Sequence, residues 1–475
     1  MKNYITVIGG GLAGCEVAYQ IAKRGIRVKL YEMKPVKFSP AHSNKDLAEI
    51  VCSNSFKSNS HTNACGLLKE ELRLLDSLLI KIADEVKVPA GQALAVDRDD
   101  FAKRVTEEIV KNEIIEVIHE EIISISEIAK EGIVIVATGP LTSESLAHEI
   151  SNITGEDKLH FYDAAAPIVT KESINFNIAF YGDRYSQEKK KDESITEWKK
   201  RLEKQSIEEN SYINLPMNKE EYEVFWKELV EAEVVELHQF EKREIFEGCM
   251  PIEVMAKRGI DTLRYGPLKP VGFDDPRTGK RPYAVVQLRQ DDKQAELYNL
   301  VGFQTNLKFG EQKRVFGMIP GLQNAEFIKL GVMHRNTYIN STKLLDETYN
   351  LKKNNNIFFA GQITGVEGYV ESISSGMVAG LNAVKRFQHN SNNMLINSKK
   401  NVDEADKIVF SEFTMIGALA KYISTENSKF QPMNANFGIL PPLEEKIRDK
   451  KLRYAKLADR ALENKTEIKD EEDNM

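Results

Sequence analysis

A glycine-rich turn held between two apolar strands at residues 4–32 constrains this chain more than any other feature. Ile5-Thr6-Val7-Ile8 reads as a buried strand. Gly9-Gly10-Gly11-Leu12-Ala13-Gly14 follows as a turn opening a helix to Lys23, and Arg27-Val28-Lys29-Leu30-Tyr31 is a second strand with Glu32 at its tip. Glycines let backbone N–H groups approach a pyrophosphate at the helix N-terminus, where the macrodipole favours negative charge. An acid about 20 residues beyond the turn is placed to accept from a ribose diol. Glycine turns alone are common, but here strand, turn, helix, second strand and terminal acid agree. Gly9, Gly10, Gly11, Leu12, Ala13, Gly14 and Glu32 are therefore expected to hold the adenosine diphosphate part of a dinucleotide, in an α/β, Rossmann-like fold. An N-terminal fingerprint ending on Glu is commoner among FAD enzymes than among NAD dehydrogenases.

At 475 residues the chain is long enough for two or three domains. Its 41% hydrophobic and 29% charged residues are those of a soluble globular protein. No apolar run reaches the length of a membrane span and no signal-peptide pattern precedes the first strand, so a cytoplasmic protein without a membrane partner is expected. A formal net charge of −7 argues against a wholly basic surface but leaves room for local basic stretches that hold RNA. The four cysteines, Cys15, Cys52, Cys65 and Cys249, form no CxxC and show no zinc spacing with the eight histidines, so no metal site is expected.

Beyond Glu32, residues 39–63 are rich in Ser, Asn and His, too polar and irregular for a core element and long for a linker. Apolar spacing predicts a helix over 67–82 and another over 101–111. Ile133 to Ala137 reads as a buried parallel strand that ends in Thr138-Gly139-Pro140. The βα rhythm is lost from about 168 to 324, and residues 187–210 form a charged insert. It resumes at Ile357-Phe358-Phe359-Ala360-Gly361-Gln362, followed by Gly365-Val366-Glu367-Gly368-Tyr369 and a small-residue helix over 372–384. A second glycine-bearing helix start suits the flavin end of a cofactor, so Gly361, Gln362 and Gly368 are expected on the isoalloxazine side. The expected organisation is a discontinuous FAD-binding domain over 1–167 and 325–440, an inserted α+β domain over 168–324, and a C-terminal helix with a disordered acidic tail over 441–475. The mixed charge of that helix fits a solvated face or an RNA contact.

Cys52 lies in Val51-Cys52-Ser53-Asn54-Ser55-Phe56-Lys57, on the polar loop and close to a lysine. Thiolate is the nucleophilic form, and an exposed loop near a cation favours it, which makes Cys52 the first catalytic candidate. Cys15 follows the fingerprint and is expected to pack. Cys249, in a turn-like Phe246-Glu247-Gly248-Cys249-Met250-Pro251, is a further catalytic candidate. Arg264 and Lys269, in a glycine- and proline-rich segment, are candidate contacts for a phosphate or a folate carboxylate. There is no second GxGxxG and no close cysteine pair, which disfavours a pyridine-nucleotide disulfide reductase.

Several longer motifs now make a resemblance specific: Pro40-Ala41-His42, Val51 to Ser55, Val88-Pro89-Ala90-Gly91, Phe246 to Glu253, Leu263 to Gly272, Gly361 to Tyr369 and Phe430 to Gly438. Together with the fingerprint they span nearly the whole chain, and in them it resembles the TrmFO family of flavin- and folate-dependent RNA (uracil-5-)-methyltransferases. The resemblance implies a bound FAD that, reduced by NAD(P)H, takes a one-carbon unit from 5,10-methylenetetrahydrofolate and delivers it as methyl to C5 of a uridine in RNA. It also implies that Cys52 bonds covalently near the flavin and that Tyr369 stacks the pterin.

One departure stands out. Where the family usually has a cysteine before Pro-Met, this chain reads Asn214-Leu215-Pro216-Met217, and Leu215 is no nucleophile. Three readings follow: methylation of the tRNA T-loop with Cys52 or Cys249 covering the role, the same chemistry on 23S ribosomal RNA in a paralogous branch, or a flavin- or RNA-binding protein that has lost turnover. The retention of the flavin turn, Cys52 and Tyr369 together favours uridine C5 methylation, with tRNA slightly ahead.

Overall fold

Alternating apolar strands and helices at the N-terminus assemble into a parallel sheet, because each strand is apolar on both faces and needs cover on both. The computed structural model describes residues 2–156, 159–185, 212–235, 250–396, 407–428 and 430–464, with a few positions between 190 and 201. Six strands form the first sheet in the order Asn350–Leu351, Asn354–Phe359, Val134–Val136, Tyr4–Ile8, Arg27–Tyr31 and Ile115–Ile118. All pairings are parallel except that of the two strands at residues 350–359. The sheet thus draws on both ends of the chain. Its helices share one apolar core with it, and in that core Ile5, Val7, Leu30, Val134, Ile135 and Phe359 are fully buried or nearly so.

Two helices meet over this sheet at very short range. Leu12–Lys23 packs along Tyr369–Ile396, where a Cβ at Gly376 would stand 2.5 Å from the Ala13 carbonyl oxygen. The small-residue pattern of the long helix is therefore a packing requirement. It seats Tyr369, the first residue of that helix, above the fingerprint turn.

Residues 168–329 build a second, antiparallel sheet, ordered Phe180–Tyr181, Tyr212–Met217, Ala284–Gln290, Leu297–Leu300, Ile168–Thr170 and Phe327–Lys329, around its own apolar cluster. A two-stranded ladder, Leu159–Ala164 with Met333–Tyr338, lies where the chain leaves and returns. The charged insert expected at 187–210 falls largely outside the described residues, as do Cys249 and the acidic tail. Among the described residues no helix is long and apolar enough to cross a membrane, and no cluster of three or more His, Cys, Asp and Glu is arranged for a metal.

Some elements differ from their sequence reading. The helix expected over 67–82 is two helices, Ala64–Leu74 and Leu78–Glu85. Asp76 breaks the run in the left-handed region (φ 53°), and Ser77 caps the second helix through the Ile80 N–H. The polar stretch 39–63 is more ordered than its composition suggests: it contains the strand Ser55–Ser58 and buries Leu47, Ile50 and Phe56. Within the expected 441–475 segment the C-terminal helix is Lys450–Glu463, started by Asp449, which caps it through the Leu452 N–H. Buried Glu71 joins Ala64–Leu74 to a later helix, Met415–Ser424, by accepting from the N–H groups of Met415 and Ile416 at 2.8 Å each. Burial pushes that carboxyl up to about 7.

Candidate active site

The fingerprint turn is built from contacts that only glycine permits at two positions. Gly9 has φ 103°, and a Cβ there would lie 2.5 Å from the Ala137 oxygen; one on Gly14 would lie 1.8 Å from the Gly9 oxygen. Strand and helix therefore meet backbone to backbone, and the first N–H groups of the helix, which have no intrahelical acceptor, face outward. Glu32 stands beside them, its two carboxylate oxygens accepting from the N–H of Gly10 (2.8 Å) and of Lys34 (2.9 Å). That fixes the carboxylate and leaves lone pairs for a diol. Beneath, the Lys34 ammonium donates to the carbonyls of Asn44 and Asp46 and pairs with Glu49 at 3.2 Å, tying the polar loop to the turn.

A cleft of about 1090 Å³, partly continuous with solvent, runs from this turn to the start of the long helix. Gly9 to Ala13 and Glu32 line it together with Val51, Gly361, Gln362, Tyr369 and Ser372, and a Cβ on Gly361 would lie 3.1 Å from that of Ala13. Its length and its anion-receiving end fit an extended dinucleotide such as FAD. Gly14 lies under the turn and outside the lining, and so does Gly368, whose α-carbon faces the Glu371 carboxylate. The Gly361 N–H is already given to Ser375 Oγ (2.6 Å), and Gln362 donates to Glu367 (2.7 Å). Both residues shape the cleft.

Cys52 is half-buried and outside the cleft lining, next in the chain to Val51, which belongs to it. The Tyr369 hydroxyl accepts from the N–H of Cys52 (3.0 Å) and of Ser53 (3.1 Å), and its ring packs on Phe56. Burial drives the phenol well above its ordinary value, so it stays protonated and serves the loop as an acceptor. The loop is held from two further sides. Arg98 donates to the carbonyls of Ile50 (3.3 Å) and Val51 (3.1 Å) and pairs with Asp291 at 3.0 Å. Burial works against its charge, but Asp291, Tyr369 and Cys52 together hold the guanidinium above its usual range. Arg289, 8% exposed on the strand Ala284–Gln290, donates to Ser53 Oγ (2.7 Å) and Asn54 Oδ1 (2.9 Å). Asn54 in turn donates to the Val96 and Gln290 carbonyls.

The other described cysteines are packed. Cys15 is fully buried with its thiol on the Gly10 carbonyl, and burial pushes it far up; Cys65 is buried and pushed up to about 11. Arg264 and Lys269 lie away from the cleft lining. Arg264 pairs with Asp261 (2.6 Å), donates to the Tyr283 carbonyl and stacks on the Tyr283 ring, so its guanidinium is committed locally. Arg98, Arg289 and Asn54 are the residues that the sequence reading did not single out. The available signal was a charged residue inside the apolar run Ala284-Val285-Val286-Gln287-Leu288-Arg289, since a cation buried on a strand needs partners.

Leu215 is 0% exposed, inside the apolar cluster of the second sheet, and its side chain packs where Gly321 leaves space. Position 215 thus faces a core. Leu215→Cys is expected to leave any turnover within about twofold while lowering stability by about 1–3 kcal/mol through the cavity left behind, measured by denaturant unfolding beside an activity assay.

Comparison with known proteins adds the following. A family model described as glucose inhibited division protein A matches residues 4–391. The chain is 58% identical over 463 residues to the methylenetetrahydrofolate–tRNA-(uracil-5-)-methyltransferase TrmFO of Acetivibrio thermocellus, covering 97% of this chain and 98% of the relative. It is 54% identical to the protein of the same name from Fusobacterium nucleatum, covering 98% of each. Among solved structures, Aquifex aeolicus GidA in its form I crystal matches with a TM-score of 0.65 at 15% identity, covering 98% of this chain and 76% of that one, a likeness of fold alone.

Proposed function

The chain belongs to the TrmFO family, and from that membership we propose that it methylates C5 of a uridine in the T-loop of tRNA, with 5,10-methylenetetrahydrofolate as the carbon donor. FAD, reduced by NAD(P)H, supplies the electrons that turn a methylene into a methyl group. Gly9 to Ala13 would hold its pyrophosphate at the helix N-terminus, Glu32 would take its ribose, and Gly361 and Gln362 would line the same cleft. Uracil C5 becomes nucleophilic only after covalent activation of the ring, so the reaction needs a reactive group at the cleft. Among the described residues Cys52 is the thiol that adjoins a cleft-lining residue, Val51, without being buried in packing as Cys15 and Cys65 are.

The observation that supports this reading most is the meeting of Cys52 and Tyr369. They are 317 residues apart in the chain, yet a hydrogen bond joins the Cys52 N–H to the hydroxyl of Tyr369, a residue of the cleft lining. Leu215, lying in a core, gives no reason to favour ribosomal RNA over tRNA. The test supplies methylene-labelled 5,10-methylenetetrahydrofolate, NAD(P)H and, in separate reactions, unmodified tRNA and 23S ribosomal RNA transcripts. Label in 5-methyluridine of the tRNA T-loop is the expected result. Label only in the ribosomal transcript moves the target, and label in neither overturns the reading.

A further inference from the structure

Taking RNA as the substrate of the proposed reaction, we infer that residues 257–281, with the neighbouring Tyr185, form the surface that docks it. Tyr265 is the platform on which an unpaired base stacks, and Lys269 meets a backbone phosphate beside it. The stretch carries seven Lys and Arg against three Asp, in a chain whose formal net charge is −7. Two of those acids are spent inside it: Asp261 pairs with Arg264 at 2.6 Å and Asp275 with Arg277 at 2.8 Å. The remaining cations outnumber the remaining acid, and the partner that such a face suits is a polyanion.

An exposed ring separates RNA from other polyanions, because a base offers a face to stack on it and a bare phosphate or sulfate does not. The Tyr265 side chain is 83% exposed, with no hydrogen bond or ring contact among the described residues. Its backbone, by contrast, is anchored. The short helix Thr262–Tyr265 is fixed through Arg264, which donates to the Tyr283 carbonyl at 3.0 Å and lies 3.5 Å over the centre of the Tyr283 ring. The Lys269 N–H donates to the carbonyl of Gly266, the residue after Tyr265, at 3.3 Å. Arg184 donates to the Lys269 and Val271 carbonyls at 2.9 and 2.6 Å, and the Tyr185 N–H donates to the Gly272 carbonyl at 2.7 Å. Tyr185 is a second exposed ring, at 62%. Both rings and the partly exposed Lys269 are thus fixed to one segment, Leu263 to Gly272, which the cleft does not use. The same sheet connects this face to the Cys52 loop. Tyr283 leads into the strand Ala284–Gln290, and Arg289, near the far end of that strand, holds Ser53 and Asn54. The six residues from Tyr283 to Arg289 rise about 20 Å, so one folded RNA can stand on Tyr265 and reach the loop.

The experiment measures binding of a labelled, unmodified tRNA transcript, and separately of labelled heparin, to the FAD-loaded full-length protein by fluorescence anisotropy, between about 50 and about 200 mM salt. Tyr265→Ala is expected to weaken tRNA binding about tenfold and to leave heparin, which has no base to stack, within about twofold. Tyr265→Phe keeps the ring and is expected to hold tRNA within about twofold. Lys269→Gln is expected to weaken both polyanions and to lower the slope of log affinity against log salt by about one. Unchanged tRNA affinity in Tyr265→Ala, or an equal loss of heparin, overturns the stacking role, and an unchanged slope in Lys269→Gln overturns the phosphate contact. Unfolding temperature and flavin content are expected to match the parent in every variant, which ties the losses to the surface. Parental binding of tRNA that no variant moves is a failure of this surface alone, whereas a parent that binds heparin but not tRNA overturns the proposed reaction with it.

Discussion

Cys52→Ala is expected to lose methyl transfer by at least about a thousandfold while the protein stays yellow, because removing a covalent group takes away a whole step and not a share of binding. The structure makes this substitution unusually clean. The loop is fastened by the backbone N–H groups of Cys52 and Ser53 on Tyr369, by the carbonyls of Ile50 and Val51 on Arg98, and by the side chains of Ser53 and Asn54 on Arg289. All of these contacts survive the change to alanine. Alanine therefore keeps these fastenings, and the sulfur lies outside the cleft lining to which Gly9 to Ala13 and Glu32 belong. Stability is expected to change by no more than about 1 kcal/mol. Single-turnover transfer of labelled carbon to tRNA, read beside the flavin absorbance, checks both halves. Turnover within about tenfold of the parent would remove Cys52 from the chemistry, and loss of colour would make it part of the cofactor site instead.

The fingerprint turn and the Cys52 loop were legible to different degrees. The fingerprint could be read because its physical demands are local: a tight turn, a helix N-terminus and an acid, all within 29 residues of chain, and the same logic recovered the returning strand that ends at Phe359. Tyr369 and Cys52 could be named but their relation could not, since the hydroxyl meets the loop only after two distant segments fold together. Arg98 and Asp291 show the limit more sharply. They are 193 residues apart, and each in isolation reads as an ordinary solvated charge; burial and pairing are properties of the docked sheets. The break at Asp76 was missed for a related reason, because an apolar period continues across it while the backbone turns away. The burial of Leu215 in the second sheet's core was equally hidden, because it depends on how Tyr212–Met217 packs and not on the residues beside it in the chain.

Gly14→Ala is expected to give a colourless protein destabilised by more than about 4 kcal/mol, if it accumulates at all. The added Cβ would sit 1.8 Å from the Gly9 carbonyl oxygen and 3.0 Å from its carbon, so backbone must move. Gly9 cannot give way, since its own α-carbon already lies where a Cβ would be 2.5 Å from the Ala137 oxygen on the neighbouring strand. Nor can the helix retreat, because Ala13 is packed against Gly376 of the long helix, with 2.5 Å between the Ala13 oxygen and a Cβ there. Strand, turn and two helices are thus locked at one point, and relief at any of them opens the first sheet's core. Gly11→Ala supplies the contrast. A Cβ at Gly11 meets nothing within 4 Å and points into the cleft, so the variant is expected to fold within about 1 kcal/mol of the parent and to lose flavin only through collision with the bound phosphate. Thermal unfolding and flavin content measured on both variants separate a glycine that the fold requires from one that the ligand requires. Equal stability in the two would show that the turn is softer than its contacts imply.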